Sequence, residues 1–346
     1  MAMKIGIDLH HGFLQEEVPF TVALEKAKQE GYDGVYGKSP MVASKTLDPV
    51  ELKEAADTAK ELGLYIDLGI GRVNPFNTNE TPEVWQLGGG DYKLSVEKML
   101  YAAASIGAKE LIGVTAGWKG EHKGYHVYDR FRTDVTWEEQ LRATANFLKS
   151  LKPVLLDTGT RINLETHEEI TSHEIVRLIE EVGDDILGVA FDTANVFARG
   201  EDPVAVATRT APYVHQMHAK DCILFFSDTG LIRQVKPVGQ GIVDYHQIFS
   251  IIAPHQPDLH MQIEDHKGYM NIDIFVEQWR NSHPDMSLRD IAELVRLARI
   301  CEQRVAEGSL PHPAIYEQPA YAEQRDERLG FAGHYLRTTL SELGLR

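Results

Sequence analysis

Eight short runs of aliphatic and β-branched residues alternate along the chain with longer segments whose apolar residues recur at helical spacing. This alternation is typical of βαβ units, which build a parallel sheet from strands connected by helices. Eight such units are the number that closes a barrel. The pattern therefore predicts an α/β fold, a (β/α)8 TIM barrel with a C-terminal extension.

Each predicted strand is short and apolar enough to be buried inside a barrel. The strands comprise residues 4–9, 34–37, 64–70, 110–115, 161–165, 187–192, 214–219 and 260–264, and the helices include residues 20–30, 49–62, 92–106, 137–151, 172–181 and 288–307. Proline-containing, aromatic-punctuated sequence begins near Gly308. We therefore predict a catalytic barrel domain of residues 1–307 and an arm of residues 308–346 that covers the barrel or a second subunit.

Composition restricts the partners and the compartment. The chain has 35 Lys+Arg against 52 Asp+Glu and a net charge of −17, so we expect no nucleic acid partner. No stretch of about 18 consecutive apolar residues occurs, so we expect no membrane partner. The N-terminus lacks the basic and long apolar regions of a signal peptide, and Cys222 and Cys301 lack metal or redox spacing. These features predict a cytoplasmic protein with free thiols.

Four side chains with metal-binding chemistry stand at the carboxyl ends of four successive predicted strands: Glu165, Asp192, His218 and Glu264. Taken singly, such an acid often caps a helix or pairs with a neighbouring cation. Because the carboxyl ends of barrel strands converge on one mouth, however, the four together can surround one ion. Three oxygen donors and one imidazole suit Mn²⁺, with Mg²⁺ and Co²⁺ as alternatives.

Five motifs carry a family resemblance: LETH at 164–167, FDTAN at 191–195, HAKD at 218–221, PVGQGIVD at 237–244 and IEDH at 263–266. In this order they resemble the xylose isomerase-like TIM barrels of the sugar phosphate isomerase/epimerase family, from about residue 4 to residue 307. The resemblance implies that the same four residues hold the metal. It also implies that Lys220 lies near the substrate and that the PVGQG loop shapes the exit of the seventh strand.

Two positions narrow the expected reaction. In the pattern that the ketose 3-epimerases of the family resemble, a histidine stands at the position of Asn195 in this chain. A sugar 3-epimerase is therefore less favoured. Glu165 and His167 resemble the E-x-H pattern of the lyase members, in which the histidine acts as a base. Alternation along a strand puts both side chains on one face. We therefore assign catalytic roles to His167, Glu165, Glu264 and Lys220; the alternative for His167 is a helix-entry histidine bonded to backbone.

Several further residues are expected to bind substrate, with a purely structural or solvent-facing role as the alternative. They are His10, His11, His126, Arg130, Asn195 and Arg233. The basic residues suit a carboxylate-bearing substrate.

The resemblance implies a lyase that acts on an oxo-sugar or oxo-sugar acid through an enediolate, by decarboxylation or by C-glycoside elimination. Two kinds of family member fit this expected reaction: the oxo-isoapionate decarboxylases and the catalytic subunits of C-glycoside deglycosidases. The alternative is a metal-dependent sugar isomerase or epimerase; abasic-site DNA repair and a non-catalytic binding barrel are least favoured. The expected partners are a small sugar and either a second copy of the chain or a small accessory subunit.

Overall fold

The computed structural model describes residues 2–10, 13–14 and 16–346, so His11 lies outside the described residues. Within these residues the strands are β1 (Lys4–Asp8), β2 (Gly34–Gly37), β3 (Tyr65–Arg72), β4 (Glu110–Val114), β5 (Arg161–Glu165), β6 (Leu187–Asp192), β7 (Val214–Ala219), β8 (Asp221–Ser227), β9 (Gly230–Lys236), β10 (His260–Ile263) and β11 (Tyr269–Ile272). Eight of them form a closed parallel barrel in the order β1-β10-β7-β6-β5-β4-β3-β2. The predicted fold class is confirmed, and all eight predicted strands lie in this barrel.

The α-helices of the described residues are α1 (Phe20–Gln29), α2 (Pro49–Leu62), α3 (Pro82–Leu87), α4 (Tyr92–Ser105), α5 (Trp137–Thr158), α6 (Ser172–Val182), α7 (Pro203–Thr210), α8 (Tyr245–Ile252), α9 (Glu277–Asn281), α10 (Leu288–Ala306), α11 (Pro313–Tyr316) and α12 (Tyr321–Glu342). Short 3-10 helices cover Pro40–Val42, Pro75–Glu80, Gly124–Val127, Asp129–Phe131, Asn195–Arg199 and Ala211–Tyr213. Capping boxes begin α5, α6 and α10. None of these helices combines the length and the apolar character that a membrane span requires.

A small antiparallel sheet stands beside the barrel, in the order β11-β9-β8. It begins directly after β7 and is completed by β11, which follows β10, so it lies on the side where the barrel strands end. Strand β9 pairs along its whole length with β8. Residues of β9 therefore have a fixed position next to the barrel mouth.

The C-terminal segment packs against its own barrel. Helix α12 contacts α8, β1 and β10, and the amide of Met3 donates to the carbonyl of Leu345 at 3.0 Å. Apolar side chains of α12, among them Leu329 and Leu336, belong to the main hydrophobic core. The division into a barrel domain of residues 1–307 and an arm of residues 308–346 stays a prediction. Side chains of both segments share one hydrophobic core.

Candidate metal centre

The four predicted ligands meet at one end of the barrel. Glu165, Asp192, His218 and Glu264 each offer one ligand atom, and these four atoms all lie within 4.8 Å of one another. None of the four residues is more than 7% exposed. Charged groups in so enclosed a place require compensation, because an unpaired buried charge is costly.

The barrel register explains this convergence. Asp192 and His218 are direct partners across β6 and β7, and Glu165 is the last residue of β5. The amide of Glu264 donates to the carbonyl of Ala219 at 3.2 Å, which extends the pairing of β10 with β7 by one residue. Four neighbouring strands thus present side chains at or next to their carboxyl ends, at a similar height on the barrel axis.

His218 lies between two carboxylates. Its Nδ1 is 3.0 Å from Oε2 of Glu264 and 3.6 Å from Oε1 of Glu165. Burial alone lowers the pKa of His218, but the two carboxylates raise it well above its ordinary value. Burial raises the pKa of Asp192 to about 6, against the opposing effect of Lys220. The environment therefore favours positive charge on the histidine and disfavours negative charge on the aspartate.

Lys220 is the cation that balances this cluster within the protein. Its Nζ lies 3.0 Å from Oδ2 of Asp192 and 2.7 Å from Oε1 of Glu264. Burial lowers the pKa of Lys220, but the charges of Asp192 and Glu264 outweigh it and raise the pKa. Lys220 thus pairs with two of the three carboxylates of the cluster.

The donor set fits a divalent cation. Three carboxylates and one imidazole converge, the negative charge of the carboxylates exceeds what Lys220 supplies, and Nδ1 of His218 faces two of the carboxylates. A dication would supply the missing positive charge and accept Nδ1 as a ligand. We conclude that these residues form a candidate metal centre.

His167 stands beside the cluster and is held by Glu169. Its Nδ1 is hydrogen-bonded to Oε2 of Glu169, whose Oε1 accepts a hydrogen bond of 2.7 Å from Thr115. The side chain of His167 is 22% exposed, whereas Glu169 is fully buried. Burial lowers the pKa of His167, but the charges of Glu169 and Glu165 raise it to about 10. Sequence reasoning missed Glu169, although the acidic pair after His167 in THEE was the available signal.

Asn195 and Arg233 form a buried layer behind the ligands. Nδ2 of Asn195 lies 3.4 Å from Oε1 of Glu165, and Oδ1 of Asn195 accepts from Arg233 at 2.7 Å. Arg233 also pairs with Glu168 at 2.5 Å and is 2% exposed. The guanidinium of Arg233 is thus buried against protein partners, and its role towards substrate stays a prediction. Asn195 is likewise 1% exposed, and its role towards substrate stays a prediction.

Of the remaining predicted substrate residues, Arg130 is the most deeply engaged with protein partners. Its side chain is 1% exposed and pairs with Glu174 at 2.7 Å, and it also donates to the carbonyls of Glu169 and Ser282. A guanidinium engaged in this way anchors the loop after β4, and its role towards substrate stays a prediction. His10 is 26% exposed beside Asp8, and His126 is exposed and packs on Tyr125, so their substrate roles stay predictions.

Asp221 explains the PVGQG motif. This buried carboxylate accepts hydrogen bonds from the backbone amides of Gly239, Gly241, Ile242 and Val243 at 2.9–3.1 Å. A Cβ on Gly241 would lie 2.0 Å from Oδ1 of Asp221, so the motif needs a glycine there. Burial raises the pKa of Asp221 to about 6. The loop is thereby fastened to the residue that follows Lys220.

The fold and this site define the class of protein. The xylose isomerase-like TIM barrel family matches residues 24–296, and the chain belongs to this family. Among curated relatives, the protein YihM of Escherichia coli strain K12 is 24% identical over 202 residues, which are 58% of this chain and 61% of YihM. The 3-oxo-isoapionate decarboxylase of Pectobacterium atrosepticum is 24% identical over 181 residues, or 49% of this chain and 66% of that enzyme.

The chain thus spans less than two thirds of the length of each of these two relatives. Among solved structures, the 3-keto-D-glucoside 4-epimerase YcjR of Escherichia coli superposes with a TM-score of 0.54 at 16% identity. That alignment covers 85% of this chain and 99% of YcjR. At this identity the likeness supports the shared fold.

Proposed function

We propose that the protein is a divalent-metal-dependent lyase that acts on an oxo-sugar or oxo-sugar acid through an enediolate intermediate. The observation that carries the proposal is the convergence of Glu165, Asp192, His218 and Glu264, with His167 and its partner Glu169 beside them. The relationship to a 3-oxo-isoapionate decarboxylase supports this choice within the family.

In the proposed mechanism each group has a separate role. The four cluster residues hold a divalent ion, for which we propose Mn²⁺, and such an ion polarises a substrate carbonyl when it is bound. The raised pKa of His167 comes from the charges of Glu169 and Glu165, and a dication held by Glu165 would offset the second of these charges and favour the neutral imidazole. His167 would then take at Nε2 the proton from the carbon next to the substrate carbonyl, since Glu169 already occupies Nδ1. Lys220 holds the carboxylates of Asp192 and Glu264 in place, and we expect its ammonium to lie near the substrate.

The second candidate is a sugar isomerase or epimerase. Such an enzyme forms the same enediolate as the lyase, but the enediolate then takes a proton back instead of losing a fragment. We favour the lyase since the position of the helper histidine of the 3-epimerases is taken by Asn195, whose side chain contacts Glu165. Proton exchange next to the carbonyl without release of carbon dioxide or an aglycone would support the isomerase instead.

The test combines metal content with NMR assays on 3-oxo-sugars and oxo-sugar acids, in which Mg²⁺ replaces Mn²⁺ to avoid paramagnetic broadening. We expect the wild type to bind about one ion and Glu165→Ala to lose it. His167→Ala should keep the ion and lose about 10²- to 10⁴-fold in turnover. His255→Ala, which changes an exposed histidine after α8, is the matched control. A wild type without bound metal, or a fully active His167→Ala, contradicts the proposal.

A further inference from the structure

The C-terminal helix reaches the strand end that carries a metal ligand. Asp265 follows Glu264 directly, and its carboxylate is paired with Arg328 of α12 through two hydrogen bonds of 2.7 Å, from Nε and Nη2. The two side chains are 1% and 4% exposed. A bidentate pair of this kind fixes direction as well as distance, because both planar groups must face each other.

Three more hydrogen bonds hold the two residues that follow Asp265. Nη2 of Arg328 also donates to the carbonyl of His266 at 2.9 Å. Nζ of Lys267 donates to the carbonyls of Tyr316 and Pro319 at 2.6 and 2.8 Å. Three consecutive residues after Glu264 are therefore each fastened to the segment 308–346.

Neighbouring residues of an extended chain point in opposite directions. Glu264 points into the barrel, 3.0 Å from Nδ1 of His218, while Asp265 points out towards α12. The contact of Asp265 with Arg328 therefore limits rotation of the backbone that sets the orientation of the Glu264 side chain. The pairing of β10 with β7 ends at Glu264, and Asp265, His266 and Lys267 then contact the C-terminal segment before Gly268 accepts from the amide of Val235 on β9.

We propose that Arg328 is a positioning residue for the ligand Glu264, so that the C-terminal segment completes the metal centre. This inference rests on the metal centre of the proposed function. Partners of metal ligands behave in this way in other proteins, where their loss weakens metal binding about 10- to 100-fold.

Arg325 provides a matched comparison on the same helix. Its side chain is 6% exposed, and it donates to the carbonyl of Phe13 at 2.8 Å and pairs with Glu30 at 3.3 Å. It therefore ties α12 to the segment between β1 and α1. Replacing Arg325 loosens the same helix and removes a buried guanidinium, but it does so at the contacts with Phe13 and Glu30.

The experiment measures Mn²⁺ affinity by calorimetric titration of the metal-free full chain, together with the Tm of each metal-free variant. We expect Arg328→Met to weaken Mn²⁺ binding about 10- to 100-fold, while Arg325→Met stays within about twofold of the wild type. Arg328→Lys keeps the charge but cannot span both oxygens of Asp265, so an intermediate affinity is expected. Asp265→Asn, a conservative change of the partner, should weaken binding in the same direction if Arg328→Met does not fold.

Equal Mn²⁺ affinity in Arg328→Met and Arg325→Met would overturn the inference. An affinity that follows Tm through all four variants would also overturn it, because it would indicate a general loss of stability. If the wild type binds Mn²⁺ and Glu165→Ala does not, the metal centre stands whatever the result at Arg328. A wild type that binds no Mn²⁺ overturns this inference and the proposed function together.

Discussion

Glu169 is a fully buried carboxylate whose two oxygens have different partners, the hydroxyl of Thr115 and the ring of His167. This arrangement fixes the orientation of the imidazole and the nitrogen that carries the proton. We predict that Glu169→Gln keeps the metal but lowers turnover about 10- to 100-fold, because the amide offers no charge to the imidazolium that forms during proton transfer. Metal analysis and a steady-state assay measure the two effects separately.

Glu180→Gln is the control for this prediction, because Glu180 is exposed on α6. It should behave like the wild type. Unchanged turnover in Glu169→Gln would show that the pairing of His167 with Glu169 does not contribute to catalysis.

His215 makes stability depend on pH at the opposite end of β7 from the metal centre. Burial and the neighbouring Arg161 lower the pKa of this histidine from 6.5 to about 4. The unfolded chain therefore takes up a proton at higher pH than the folded protein does. Folding stability should fall as the pH drops from the unfolded pKa towards 4, by about 3 kcal/mol.

Urea unfolding of the wild type and His215→Asn at a series of pH values between neutrality and acid tests this prediction. The asparagine variant differs in stability at every pH because it loses packing, so only the slopes are compared. The slope should be flatter in His215→Asn. Parallel curves would mean that other groups cause the acid-side loss.

At the scale of elements, the barrel strands and the cluster of candidate metal ligands could be predicted from the sequence, since an apolar run followed by an acid or histidine is a local signal. The partners of the buried charged side chains could not be predicted from the sequence. Arg130 and Arg233 looked available for substrate, but Glu174 and Glu168 reach them from distant parts of the chain. The sheet of β8, β9 and β11 was missed because polar residues such as Lys236 are buried in it. Charge pairs formed only on folding leave no local pattern.

Helix α5 follows the loop that contains Arg130, and its capping box sets where that loop ends. The hydroxyl of Thr136 accepts from the amide of Glu139, and the carboxylate of Glu139 accepts from the amide of Thr136. We predict that Thr136→Ala destabilises the protein by about 1 kcal/mol, because the first turn loses this partner. Ser150→Ala, at an exposed interior position of the same helix, should cost nothing measurable. Equal effects in chemical denaturation would show that the cap does not stabilise α5.

At the scale of the whole molecule, α12 closes the barrel wall between α8 and β1. The barrel needs cover over β1 and β10, and α12 contacts both. Its buried side chains belong to the same core as those of the strands. We therefore expect the segment 308–346 to stabilise the barrel and to orient the side chain of Glu264.

Leu336 tests whether this segment folds together with residues 1–307. It is fully buried on α12 and belongs to the main core, whereas His334 is exposed on the same helix. We predict that Leu336→Ala lowers the free energy of unfolding by about 2–5 kcal/mol, because it leaves a cavity in the shared core, while His334→Ala changes it by less than about 0.5 kcal/mol. Urea unfolding followed by tryptophan fluorescence and circular dichroism should show one transition that shifts as a unit. A separate early transition in Leu336→Ala would instead support independent units of residues 1–307 and 308–346, because only then can α12 detach while the barrel stays folded.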